Sequence, residues 1–130
     1  MTATLTIRDE LTGREPTGSL VLEFLTERIT VRELIRSRVY QEVQDYNTAR
    51  PAEFRGLVQP ETEAALNGPP VRRSREIDWK KQFDVALAAF ERRGFLILVG
   101  DRQMQSLDEE IVIAPGTQVT FLRLTPLVGG

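Results

Sequence analysis

The hydrophobic period changes once in the first third of the chain, from the alternation of a strand to the spacing of a helix. Ala3, Leu5 and Ile7 alternate with Thr4, Thr6 and Arg8, the pattern of a half-buried strand. Thr12-Gly13 and Pro16-Thr17-Gly18 mark a turn region. Leu20, Leu22 and Phe24 give a second strand its apolar face, so the two strands predict a hairpin. Thr30 followed by Glu33 is a capping box, in which hydroxyl and carboxylate each satisfy an orphan amide. Val31, Leu34, Ile35, Val39 and Val43 then recur at helical spacing, and the helix is expected to end near Asp45. Its stripe suits packing on the apolar face of the hairpin. An opening of strand, strand and helix predicts an α+β fold.

The middle of the chain is irregular. Pro51, Gly56, Pro60, Gly68, Pro69 and Pro70 interrupt any period, so residues 46–77 are read as an insertion, with a short helix over Pro60 to Leu66. Arg72-Arg73-Ser74-Arg75 is a small basic cluster, read as solvated loop, with a docking loop for an acidic partner as the sharper alternative. Asp78 predicts the cap of a second helix running to about Arg93, with Trp79, Phe83, Ala86, Leu87 and Phe90 as its inward stripe. Gly94 is expected to close it in the left-handed conformation. Phe95 to Val99 is a continuous apolar run bounded by Gly100-Asp101, a buried strand. A short strand near Gln103 to Leu107, the run Ile111-Val112-Ile113, a type II turn at Pro115-Gly116 and a last strand from Val119 to Leu124 complete the order.

Composition narrows the chemistry. The 130 residues amount to one domain, able to bury a core without staples. With no cysteine and no histidine, the chain lacks a thiolate nucleophile, the commonest general base and the commonest metal ligands. No catalytic or metal-ligating residue is assigned. A net charge of −2 without a basic stripe points away from nucleic acid. The opening Met1-Thr2-Ala3-Thr4 lacks the features of a secretory signal, and no apolar run has the length of a membrane span. The expectation is a cytoplasmic protein with no membrane partner.

The last predicted strand leads into Thr125-Pro126-Leu127-Val128-Gly129-Gly130. With the order strand, strand, helix, strand, this pattern resembles the β-grasp family of ubiquitin-like modifiers and sulfur carriers. The segment Gly116-Thr117-Gln118-Val119-Thr120-Phe121-Leu122 through Leu127-Val128-Gly129-Gly130 is similar to the end of the molybdopterin-synthase small subunit and of the thiamine sulfur carrier. Ala3 to Asp45 resembles the opening of ubiquitin, and residues 46–77 match neither. Length and insertion look most like bacterial ubiquitin-like proteins that travel with an activating enzyme, a conjugating enzyme and a metal-dependent deubiquitinase. The resemblance implies an α+β β-grasp over residues 1–124: a mixed sheet of four or five strands, a helix across one face and a helical insertion. The resemblance also implies a flexible tail over residues 125–130. The last strand should lie beside the first and parallel to it.

The tail carries the functional expectation. A terminal carboxylate is a poor acyl electrophile until a partner activating enzyme adenylates it with ATP. Gly129 and Gly130 lack Cβ atoms and can approach a catalytic centre closely. Pro126 stiffens the exit from the sheet. Gly129 and Gly130 are therefore the expected activation residues. Leu122, Leu124, Leu127 and Val128 are the expected partner surface, with a second small core beneath residues 46–77 as the rival reading of Leu122 and Leu124. The chain is read as a substrate and acyl carrier for partner enzymes, not an enzyme, and it binds no cofactor itself. The leading expectation is a protein modifier joined to an acceptor protein. The alternatives are a sulfur carrier forming a C-terminal thiocarboxylate for cofactor biosynthesis, and a non-conjugated β-grasp interaction module. Lys80 and Lys81 are the only lysines, hence the only lysine acceptors for chains of this protein.

Overall fold

The computed structural model describes residues 3–11, 18–49, 57 and 77–123. In chain order these form β1 (Ala3–Leu11), β2 (Gly18–Phe24), β3 (Arg28–Thr30), α1 (Val31–Ala49), α2 (Trp79–Glu91), β4 (Phe95–Val99), β5 (Arg102–Gln103), β6 (Glu110–Val112) and β7 (Gln118–Arg123). The fold is α+β, with a mixed five-stranded sheet in the order β2-β1-β7-β4-β5 and a separate ribbon of β3 and β6. β1 pairs antiparallel with β2 and parallel with β7, in a register that sets Ile7 opposite Val119 and Asp9 opposite Phe121. β4 pairs antiparallel with β7. The last strand therefore lies inside the sheet, parallel to the first, an arrangement compatible with a β-grasp.

Strand alternation sorts the two faces. Leu5, Ile7, Leu22, Ile97, Val119 and Phe121 are buried on one face, and Leu34, Ile35, Val39 and Val43 of α1 join them in one core. The capping box is formed: the Glu33 amide donates to Thr30 Oγ1 at 3.1 Å, and the Thr30 amide to Glu33 Oε1 at 3.3 Å. Two further orphan amides of α1 donate to loop carbonyls, Val31 to Glu109 and Arg32 to Leu107, both at 3.0 Å. The ribbon and its loop thus act as an external cap on α1. At the turn before β7, Gly116 has φ +86° and the Thr117 amide donates to the Ala114 carbonyl at 3.0 Å, as a type II turn over Pro115-Gly116 requires.

Several expectations need correction. α1 runs one turn beyond Asp45, to Ala49, because Tyr46 is still buried and Asn47 exchanges two hydrogen bonds with the backbone of Ile77. Residues 46–49 therefore belong to the helix, not to the insertion. Asp78 caps α2 by accepting from the Lys80 amide at 2.9 Å, but the helix ends at Glu91. Its deeply buried side is Gln82, Ala86, Ala89 and Phe90, while Trp79, Phe83 and Leu87 are only partly buried. α2 packs chiefly along α1 and reaches the sheet through Phe90, which meets Phe95 of β4. The strand expected at Gln103 to Leu107 is reduced to Arg102–Gln103, followed by a loop whose Met104 and Leu107 are buried. β3 has 3 residues, too few for an alternation to be legible in the sequence. The helix expected at Pro60 to Leu66 and the arginine cluster at 72–75 lie outside the described residues.

Candidate functional site at the end of the last strand

β7 ends at Arg123, with Leu11 of β1 and Phe95 of β4 opposite it. Phe121, two residues earlier, is fully buried and stacks on Phe95 at 5.8 Å; Phe95 in turn meets Phe90 of α2 at 6.0 Å. This aromatic row ties α2, β4 and β7 together on the core side.

The Arg38 guanidinium lies on the same core side, 4.6 Å from the Phe121 ring centroid. Arg38 projects from α1 and is 1% exposed. It donates bidentately to Asp9 of β1 at 2.5 and 2.7 Å, and through Nε to Glu42 at 3.2 Å. Glu42 also accepts from the backbone amide of Leu57, a buried residue, at 2.9 Å. One cation thus holds two carboxylates, and one of these fastens residue 57 to α1. Burial opposes the charge on Arg38, yet hydrogen bonding to Asp9 and the two nearby carboxylates hold its pKa above the ordinary value. Burial pushes the Glu42 carboxyl up, against the opposing pull of Arg38 and of the Leu57 amide. The grouping was missed at the level of sequence. Its trace is there: Arg38 falls three residues after Ile35 and four after Leu34, on the apolar stripe, with Glu42 one turn on.

Of the residues expected to form the partner surface, Leu122 is partly buried on the sheet face away from α1. Its cross-strand neighbours are Leu96 of β4 and Glu10 of β1. Leu124, Leu127, Val128, Gly129 and Gly130 lie outside the described residues. Lys80 and Lys81 are exposed in the first turn of α2. Beside them Trp79 meets Tyr40 edge-on at 5.2 Å and carries the Arg36 guanidinium 5.0 Å above its ring.

A cavity of about 300 Å³ opens between the end of α2, the start of β4 and residues 103–108. Its charged rim consists of Arg32, Glu91, Arg93 and Asp108, with Arg32 paired to Asp108 at 3.2 Å. Among the described residues no group of acidic side chains is arranged to hold a metal ion, and no helix is long and apolar enough to cross a membrane.

No family model, no curated protein and no solved structure matches the chain.

Proposed function

We propose that this chain is a β-grasp protein modifier whose Gly130 carboxyl is activated by a partner enzyme and transferred to an acceptor protein. The observation that carries this reading is the position of β7: it lies between β1 and β4, parallel to β1, and within seven residues of its end the chain reaches Gly129-Gly130. A strand paired on both sides is a rigid base from which a reactive end can be presented. In the proposed reaction a Gly130 carboxylate oxygen attacks the α-phosphate of ATP and pyrophosphate leaves. A thiol of the partner then displaces AMP, and an acceptor amine displaces the thiol. ATP and the thiol belong to the activating and conjugating enzymes, and a deubiquitinase-like peptidase would reverse the linkage. The same donor arises whether synthesis ends at Gly130 or a peptidase cuts after it. Leu122, with Leu124, Leu127 and Val128, is the proposed surface for the activating enzyme, and exposed Lys80 and Lys81 are the proposed acceptors for self-linkage.

The test is ATP–pyrophosphate exchange with the cognate activating enzyme. A variant lacking Gly129 and Gly130 should lose exchange and keep its melting temperature. Undiminished exchange would overturn the reading. Intact mass after activation with a sulfide source distinguishes the sulfur carrier: replacement of one carboxyl oxygen by sulfur, without conjugates, assigns the chain to that class. A protein unchanged in both assays leaves the interaction module.

A further inference from the structure

We propose that β2 is the self-pairing edge of a symmetric homodimer, in which two copies join their sheets through antiparallel β2 strands centred on Val21. This inference does not rest on Gly130 or its activation. Among the described residues β2 is one of the two bounding strands of the five-stranded sheet. The other bounding strand, β5, has two residues, and its Arg102 is held by Glu109 at 2.6 Å. β2 has seven residues and pairs with β1 continuously from Gly18 to Phe24, with no bulge. It contains no lysine and no proline, two of the devices that protect a sheet edge from a second strand. Val21, at its midpoint, is 61% exposed on the face away from α1.

The occupant follows from the order of residues along β2. In an antiparallel pair with Val21 on the two-fold axis, Val21 meets its own copy, Leu20 meets the second copy's Leu22, and Ser19 meets its Glu23. Gly18 falls opposite Phe24, a pairing in which the ring covers the missing side chain. No like charges oppose one another, and the single charged residue of the strand, Glu23, faces a hydroxyl donor. Leu20, partly buried in the single chain, gains an apolar neighbour on the core side. The register centred on Val21 is the one that pairs all 7 residues of β2 with a second copy.

The test is sedimentation equilibrium on the full chain. The unmodified protein should be dimeric by the high-micromolar range. Val21→Lys and Val21→Glu should each weaken association by about tenfold or more, since each sets like charges together on the axis. Mixing the two variants should restore a dimer, because lysine then faces glutamate. Val112→Lys changes a valine of comparable exposure, 55%, on the separate ribbon, and should leave association intact. A protein that stays monomeric throughout overturns the proposal, as does a dimer indifferent to Val21→Lys. Failure of the mixed variants to associate overturns the register.

Discussion

Arg93 carries φ +63°, the left-handed position that closes α2, while Gly94 beside it does not. The Arg93 amide donates to the Phe90 carbonyl at 3.0 Å and the Gly94 amide to the Ala89 carbonyl at 2.7 Å, the two bonds of a Schellman end. Gly94 serves a different need: a Cβ there would lie 3.3 Å from the Ala89 carbonyl oxygen. Arg93→Gly should therefore raise stability by about 0.5–1 kcal/mol, seen as a higher urea midpoint with an unchanged slope. A lower midpoint would contradict the strain assigned to Arg93. Glu42 supplies a second prediction at this scale. Its folded pKa is raised, first by burial, so the folded state holds this proton more tightly than the unfolded chain. The stability it contributes is full below its ordinary value of 4.5 and is lost as pH rises through the raised one. The charged groups facing it are Arg38 and Asp9. Unfolding free energies of the natural chain minus those of Glu42→Gln should fall across that window and level off above it. Glu109, whose pKa is lowered first by the Gln105 amide, has the opposite slope but is common to both proteins and cancels. A difference that rises with pH would refute the assignment.

α2 is the element whose stripe the sequence located but did not orient. Spacing placed Trp79, Phe83, Leu87 and Phe90 on one side, and it is the neighbour that decided which of them lie deepest. α2 runs along α1, where Trp79 meets Tyr40 and Arg36, and its deeply buried side chains include the small Ala86 and Ala89. Phe90 is 7% exposed and reaches the sheet through Phe95, whereas Phe83 is only partly buried. Phe90→Ala should cost about 3–5 kcal/mol, and Phe83→Ala about 2 kcal/mol, measured by chemical denaturation. Equal losses would show that both rings sit in the core to the same depth. β3 and β6 make the complementary point. Their three-residue pairing has no readable period, yet with the adjoining loop it supplies the carbonyls that receive the first amides of α1.

For the whole molecule, alternation in β1 and β2, the capping box at Thr30 and the stripe from Val31 to Val43 were enough to predict an α+β fold, because each depends on residues close in sequence. The parallel placement of β7 beside β1 came from the family resemblance, and the structure agrees with it. The apolar positions and the Gly129-Gly130 pair were likewise visible along the chain, since side-chain type and order are properties of the chain itself. Contacts between distant segments were not. Asp9, Arg38, Glu42 and Leu57 assemble only when β1, α1 and residue 57 converge, and no local period marks a cation that must share two carboxylates. Which face of α2 is deepest, and which strand bounds the sheet, were likewise decided by tertiary packing. Burial is a property of neighbours, and neighbours are set by how the elements stack.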